Sequence, residues 1–90
     1  EQAGKRPVLI VSSESFNSSE TVIAMVITTK PQRVPFPLVL EMDESVTGRR
    51  AWIKISQIRT LAAERLTKKI GHAPAEMVDK AVEGLNDIVS

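Results

Sequence analysis

The chain has 90 residues, of which 42% are hydrophobic and 26% charged, and its formal net charge is +1 at pH 7. A chain of this length makes one small domain, so we treat residues 1–90 as a single domain. The absence of cysteine excludes disulfides and thiolate zinc sites and fits a reducing cytoplasm most easily. No apolar run reaches the roughly 20 residues that a membrane span needs, so we expect no membrane partner.

The basic residues occur in short groups at predicted loops: Lys5-Arg6, Lys30 with Arg33, and Arg49-Arg50. A phosphate-binding surface needs local positive charge rather than a high total charge. On spacing alone, such groups are more often solvated loop charges. The charge distribution therefore leaves nucleic acid open as a partner without requiring it.

The first half of the chain predicts three strands. The apolar run from Val8 to Ser12 is typical of a buried strand. Thr21 to Thr29 is β-branched and apolar, which predicts a central strand. After a loop over Pro31 to Pro35, apolar residues alternate from Phe36 to Met42 and predict a half-buried strand. Pro37 places that strand at an edge of the sheet.

A turn at Thr47-Gly48 precedes the next predicted strand. Apolar residues alternate from Ala51 to Ser56, whereas Ile58 falls out of this phase. We therefore expect a bulge near Gln57. Ala62 to Leu66 suits a short helical turn.

The last third of the chain predicts a helix. Lys68 to Gly71 is compatible with a brief strand, and Pro74 suits the first position of the helix. Glu76 and Lys80 form a favourable i, i+4 pair. Apolar residues recur on the other face at helical spacing, namely Met77, Val78, Ala81, Val82, Leu85, Ile88 and Val89. The whole pattern predicts an α+β domain, in which a small, strongly curved antiparallel sheet of four or five strands packs against a C-terminal helix.

The catalytic inventory of the sequence is small. Its single histidine, His72, has no acidic partner close in sequence, so we do not predict a Ser-His-Asp triad. The glycines are too scattered for a phosphate-binding loop, and no metal-ligand spacing occurs. An enzyme of this sequence would therefore work without a metal, flavin or nucleotide cofactor. Arginine, threonine, serine, glutamate and glutamine remain as the chemical groups.

Short segments spread over the whole chain carry a family resemblance. They are Lys5-Arg6-Pro7-Val8-Leu9-Ile10-Val11-Ser12, Phe16-Asn17, Ile27-Thr28, Pro35-Phe36, Gln57-Ile58-Arg59-Thr60, Arg65-Leu66 and Lys69-Ile70-Gly71. In this order and spacing they resemble the MazF/PemK family of toxin endoribonucleases. The combination of an EQ-x-G-x-RP start, an IT strand end and a QIRT strand end is its most specific part.

This resemblance implies the toxin half of a bacterial type II toxin–antitoxin pair. The implied fold is a small SH3-like barrel with a C-terminal helix, which forms a homodimer in the cytoplasm. The implied activity is sequence-selective, metal-independent cleavage of single-stranded messenger RNA. Attack by the 2′-hydroxyl would leave 2′,3′-cyclic phosphate and 5′-hydroxyl ends, and a cognate antitoxin would inhibit the enzyme.

The resemblance implies that Arg6 is the main catalytic residue, with Thr28 as its partner and Glu1 as a group for proton transfer. An arginine fork binds two phosphate oxygens and stays charged at any working pH. Pro7 restricts the backbone of Arg6 to extended conformations. A carboxylate is a credible base, whereas an ordinary arginine is a poor one. Without the family, a solvated cation and a plain strand residue are the more common roles of Arg6 and Thr28.

The resemblance also implies contacts with the RNA. The residues concerned are Gln2, Lys5, Thr29, Lys30, Gln57 and Arg59. Lys5 and Lys30 are candidates for phosphate contacts, and Arg59 could be structural. The amide of Gln57 can both donate to and accept from a base edge, as readout of a single strand requires.

Two departures from the family pattern leave alternatives open. Family members usually begin earlier, with a Gly-[DE]-hydrophobic-Trp strand; its absence means either a trimmed chain or the loss of this strand, and we favour trimming. Ser56 stands where the family often has aspartate, which bears on the cleavage sequence and not on the class of activity. One alternative is a gyrase-poisoning toxin of the same fold, although those relatives end in tryptophan-glycine-isoleucine and this chain ends in Ile88-Val89-Ser90. The other is a non-catalytic barrel that only binds a partner.

Overall fold

The computed structural model describes residues 7–13, 20–66 and 71–90. Within these residues, four strands precede a long helix, which confirms the predicted order. The elements are β1 (Val8–Ile10), β2 (Thr21–Thr28), β3 (Val39–Met42), the helical turn α1 (Glu44–Thr47), β4 (Ala51–Ala62), a 3-10 turn (Ala63–Arg65) and α2 (Ala75–Val89). Most of the brief strand predicted at Lys68 to Gly71 lies outside the described residues.

The four strands form one antiparallel sheet in the order β1-β2-β4-β3. The prediction that β2 is a central strand is confirmed, and so is the edge position of β3. At one end of the sheet, Thr28 of β2 pairs with Trp52 of β4. Trp52 in turn pairs with Glu41 of β3. The curled sheet is a half-barrel that α2 closes on its inner face.

The predicted bulge in β4 is confirmed. Met25 pairs with Ile58, whereas the next residue of β2, Val26, pairs with Lys54. Residues 55–57 therefore have no one-to-one partner on β2, and Ile58 returns to the core face after the phase break. The QIRT segment is not a strand end, because β4 continues beyond it to Ala62.

Two local predictions were wrong. The third strand begins at Val39 and not at Phe36, because residues 36–38 form a turn in which the Leu38 N–H donates to the Pro35 carbonyl at 3.0 Å. Pro35 and Pro37 have no N–H to give to a strand ladder, which favours the turn. The helical turn α1 was not predicted. Asp43 caps its N-terminus, since the Asp43 carboxylate accepts from the Ser45 N–H at 2.9 Å.

The core lies between the inner face of the sheet and α2. Its largest fully buried side chains are Met25, Ile53 and Ile55. Ala81 and Gly84 of α2 are buried against them. A Cβ atom on Gly84 would stand 2.7 Å from Cδ1 of Ile55, so the small residue allows the helix to approach the sheet closely.

The helix differs from its prediction in three details. It begins at Ala75, so Pro74 takes the capping position just before it. Its buried apolar stripe is shorter than predicted, because Val89, the last residue of the helix, is 70% exposed. Lys80 does not form the predicted ion pair with Glu76. Its ammonium lies 3.7 Å from Glu83 and 4.5 Å from the centre of the Phe36 ring, where a cation–π contact forms.

Within residues 7–13, 20–66 and 71–90, no helix combines the length and the apolar character that crossing a membrane requires.

Candidate functional site

Three chain segments meet at the end of the sheet where β2 finishes. On one side, the Ile27 N–H donates to the Pro7 carbonyl at 3.2 Å. On the other side, Thr28 pairs with Trp52, near the start of β4. Because β1 and β4 flank β2, Pro7 lies beside the last residues of β2. Pro7 is the residue that follows Arg6 in the sequence.

A cleft of about 160 Å³ opens at this end of the sheet. Its lining residues are Pro7, Ile27, Thr29, Thr47, Arg49 and Ala51. Ile27 and Ala51 are buried and form an apolar floor, whereas Thr29 and Arg49 are exposed. Since one water needs roughly 10–15 Å³ of such space, the cleft holds on the order of ten waters. The cleft therefore accommodates a single phosphate group or the edge of a base rather than a folded duplex.

The hydroxyl of Thr28 is fixed by the loop that follows it. Its oxygen accepts from the Lys30 N–H at 3.1 Å, and the Lys30 carbonyl accepts from the Gln32 side-chain amide at 2.8 Å. A threonine hydroxyl that accepts one hydrogen bond still has its own proton to donate. The end of β2 thus presents an oriented donor that can bind a phosphate oxygen.

The two threonines at the end of β2 lie on different faces. Successive side chains of a strand point to opposite sides of the sheet. Ile27 packs in the core, and Thr29 shares the cleft with it. Thr28, between them, pairs with Trp52 and lies on the other face. One hydroxyl therefore lines the cleft and the other lies on the opposite side of the strand end.

Positive charge without a counter-ion gathers at this end of the sheet. Neither the Lys30 ammonium nor the Arg49 guanidinium forms an ion pair with any residue that the structure describes. Arg50 differs, because its Nε lies 2.9 Å from a carboxylate oxygen of Glu41. The Glu41 hydrogen bond and charge raise the pKa of Arg50 above its ordinary value. Among the described residues, Lys30 and Arg49 are thus two cations near the strand end that are open to an anion.

A larger groove of about 590 Å³ lies between β3 and α2. It is lined by Leu40, Glu41, Met42, Asp43, Glu76, Met77 and Lys80. Three carboxylates and one ammonium give this groove a negative balance, which repels a polyanion. The smaller cleft beside Arg49 is therefore the better candidate for binding a nucleic acid.

The structure brings some of the predicted site residues together. Thr28, Thr29 and Lys30 adjoin at the strand end. Gln57 is exposed within the bulge of β4, and Arg59 pairs with Ala24, four residues before Thr28. At about 3.3 Å per residue, Arg59 is about 13 Å along the sheet from Thr28. Arg59 thus does not join the cluster at the strand end.

Other predicted site residues cannot be placed. Glu1, Gln2, Lys5 and Arg6 lie outside the described residues. His72 is exposed, in the segment that leads to α2. In the part of the chain that the structure describes, no three His, Cys, Asp or Glu side chains gather as a set of metal ligands.

Arg49 and Thr47 line the cleft but were not among the predicted site residues. The sequence shows Arg49-Arg50 as one of three basic groups, directly after the turn at Thr47-Gly48. The sequence did not reveal which of the two arginines has a counter-ion. That distinction depends on the pairing of β3 with β4, which places Glu41 beside Arg50.

Comparison with known proteins decides the family. A family model described as the PemK-like, MazF-like toxin of type II toxin–antitoxin systems matches residues 1–89. The chain belongs to this family. Endoribonuclease EndoA of Bacillus subtilis is 41% identical to this MazF-like chain in an alignment 88 residues long, which covers 94% of this chain and 76% of the relative. The predicted family is thereby confirmed.

Solved structures of MazF-like proteins share the fold. The MazE–MazF complex of Deinococcus radiodurans superposes with a TM-score of 0.81 at 18% identity, covering 94% of this chain and 85% of that one. A mycobacterial endoribonuclease in complex with its cognate antitoxin gives a TM-score of 0.79 at 24% identity, covering 94% and 81%. The predicted fold, a small curved antiparallel sheet with a C-terminal helix, is confirmed as a MazF-like half-barrel.

Proposed function

We propose that this MazF-family chain is an endoribonuclease toxin that cuts single-stranded RNA at a short sequence without a metal ion. One structural observation carries the proposal: the fixed Thr28 hydroxyl lies at a strand end that also holds the cleft between Pro7 and Arg49. Lys30 and Arg49, which form no ion pair with a described residue, favour a phosphate ligand beside it. The endoribonuclease class rests on the curated relatives, such as EndoA of Bacillus subtilis.

The proposed reaction is attack by a ribose 2′ oxygen on the adjacent phosphorus. The proton of the 2′-hydroxyl passes to a base, the bond from phosphorus to O5′ breaks, and O5′ takes up a proton from water. The products are a 2′,3′-cyclic phosphate and a 5′-hydroxyl end. Negative charge grows on the two non-bridging phosphate oxygens as the attack proceeds, so donors and cations held around those oxygens lower the barrier.

Each catalytic residue has one part in this scheme. Arg6, which Pro7 follows directly, offers a guanidinium fork to the non-bridging oxygens. Thr28 donates its hydroxyl proton to one of these oxygens. This proton is available because the Thr28 hydroxyl only accepts in its hydrogen bond with the Lys30 N–H. Glu1 takes the proton of the attacking hydroxyl. Since cationic side chains supply the compensating charge, the scheme needs no divalent ion.

The RNA strand is held on both sides of the reacting phosphate. Gln2, Lys5, Thr29, Lys30, Gln57 and Arg59 are the proposed contacts. Thr29 is supported by its place in the cleft, and Lys30 by its exposed cation at the strand end. The exposed amide of Gln57 in the bulge suits a base edge. Arg59 is more distant and would reach only a neighbouring stretch of the strand.

The proposed partners are a second copy of the chain and a cognate antitoxin, in the bacterial cytoplasm. Family membership supports both, and two solved relatives with this fold are complexes of a toxin with its antitoxin. Sedimentation of the purified chain, with and without the antitoxin, tests this part. A monomer at every concentration would contradict the dimer.

RNA cleavage in EDTA tests the proposed activity. The purified chain, shown by circular dichroism to be folded, is mixed with a long single-stranded RNA and the new ends are mapped. We expect cuts at one short motif with 5′-hydroxyl ends. A folded chain that does not cut, or cuts that leave 5′-phosphates and disappear in EDTA, would contradict the proposal.

A pair of arginine variants tests the catalytic assignment. Arg6→Ala should abolish cleavage. Arg65→Ala should not, because this exposed arginine follows the opposite end of the sheet, where Thr21 pairs with Ala62. Both variants remove one positive charge. Equal losses from the two would mean that only net charge matters and would remove Arg6 from the mechanism.

A further inference from the structure

Arg49 stands at the rim of the cleft, on the side opposite Pro7. Its neighbours there are Thr47 of α1 and Ala51 of β4, and Thr29 is on the adjoining wall. The residue before Pro7 is the proposed catalytic arginine. Thr29, which lines this opening of about 160 Å³, directly follows the proposed catalytic residue Thr28. An RNA strand whose reacting phosphate is bound by Thr28 at the end of β2 can place a neighbouring phosphate in the cleft, beside Arg49.

The two neighbouring arginines have opposite electrostatic situations. The Arg50 guanidinium donates to the Glu41 carboxylate at 2.9 Å and lies 5.1 Å from the centre of the Trp52 ring. The Arg49 guanidinium has no ion pair or ring contact among the described residues. A phosphate at Arg50 would compete with the Glu41 carboxylate for the charge of this guanidinium. Arg49 can bind a phosphate without losing an ion pair or a ring contact to any described residue.

The turn that carries Arg49 is held by its own hydrogen bonds. Asp43 caps the start of α1, and the Gly48 N–H donates to the Glu44 carbonyl at 2.7 Å at its end. The Thr47 hydroxyl donates to the Arg49 carbonyl at 2.9 Å. The backbone of Arg49 is therefore fixed before RNA arrives, which lowers the entropy cost of using its side chain.

We propose that Arg49 binds a phosphate of the RNA strand adjacent to the scissile phosphate and thereby sets the register of the strand in the cleft. This inference rests on the proposed endoribonuclease activity. It assigns Arg49 to substrate binding and not to the chemical step. Arg50 is assigned to the pairing of β3 with β4 through Glu41 and Trp52.

A salt titration separates the two arginines. Binding of a non-cleavable RNA, with a 2′-deoxyribose at the mapped cleavage position, is measured for wild type, Arg49→Ala, Arg49→Gln and Arg50→Ala over a range of salt concentrations. One phosphate contact on a single strand contributes about 0.7 to the slope of log K against log salt. We expect both Arg49 variants to lose about this much slope and to bind about tenfold more weakly. Arg50→Ala, which removes the same charge, should keep the wild-type slope.

A second measurement locates the contact. Neutral methylphosphonate linkages are placed one at a time on either side of the scissile position. At one flanking linkage the substitution should slow wild-type cleavage about tenfold and have no further effect in Arg49→Ala, because both changes remove the same contact.

Each outcome decides the inference separately from the activity. If wild type cuts RNA but Arg49→Ala and Arg50→Ala have the same salt slope, the proposed phosphate contact of Arg49 is wrong, although the proposed endoribonuclease activity is supported. If Arg49→Ala impairs only the binding of an antitoxin, Arg49 belongs to a protein interface and the inference is wrong. If the folded wild type does not cut, the proposed activity itself has failed.

Discussion

Gly71 lies directly against the backbone of Val46. A Cβ atom at position 71 would stand 2.7 Å from the Val46 carbonyl oxygen. This contact joins the segment before α2 to α1, the helical turn that leads to Arg49. The absence of a side chain at Gly71 therefore helps to position the rim of the cleft.

Gly71→Ala should destabilise the fold. The clashing atom belongs to the backbone, which yields less readily than the tip of a side chain, so we expect a loss of about 1–3 kcal/mol. Urea unfolding monitored by the fluorescence of Trp52 measures it. An unchanged unfolding midpoint would show that this approach of the two segments is not maintained in solution.

Gly48→Ala should cost stability for a different reason. Gly48 has a φ of 85° and no atom within 4 Å of a Cβ placed on it, so an alanine there meets no steric neighbour. The left-handed conformation itself costs an ordinary residue roughly 1–2 kcal/mol. Gly48→Asn should lose less than Gly48→Ala in the same urea titration, because asparagine tolerates this region. An asparagine variant as unstable as the alanine variant would point to a steric effect.

Thr28→Val should remove RNA cleavage and leave stability nearly unchanged. Valine keeps the β-branched shape but cannot accept from the Lys30 N–H or donate to a phosphate. That N–H is exposed, and water can replace the lost partner. Thr28→Ser keeps the hydroxyl and should retain most of the cleavage rate. Full activity in Thr28→Val, at an unchanged unfolding midpoint, would remove the hydroxyl from the mechanism.

The Asp43 cap should make stability depend on pH. Hydrogen bonds from the Ser45 backbone and side chain lower the pKa of the Asp43 carboxyl in the folded chain. A lowered folded-state pKa stabilises the fold above the ordinary aspartate pKa of about 3.9, and this stabilisation is lost as the pH falls through the folded-state value. Asp43→Asn keeps a capping oxygen without the charge. The difference in free energy of unfolding between this variant and wild type should be largest at pH 7 and shrink below pH 4. A difference that does not change with pH would contradict a stabilising charge on Asp43.

The sheet and the helix could be predicted from the sequence because their residues repeat with clear periods. The phase break at Ile58 was enough to predict the bulge. The start of β3 was wrong because Leu38 alternates like a strand residue, while the prolines on either side of Phe36 favour a turn. Periodicity alone does not weigh those two signals.

The candidate site was predicted less completely. Thr28 is the last residue of β2, and Thr29 and Lys30 follow it directly, so their proximity could be predicted from the sequence. The role of Arg49 could not, because it depends on Glu41 reaching Arg50 from another strand. Hydrophobic periodicity and charge assign residues to strands and helices. Ion pairs between neighbouring strands can be identified only when the strand register is known.

The pairing of β2 with both β1 and β4 has a consequence for the time at which activity appears during synthesis. Pro7, Thr29 and Arg49 come together only after β4 has joined the sheet. Contacts between segments so far apart in sequence form late, because closing the intervening loops costs entropy first. A chain whose β4 is still inside the ribosome therefore lacks the cleft that we propose for RNA binding.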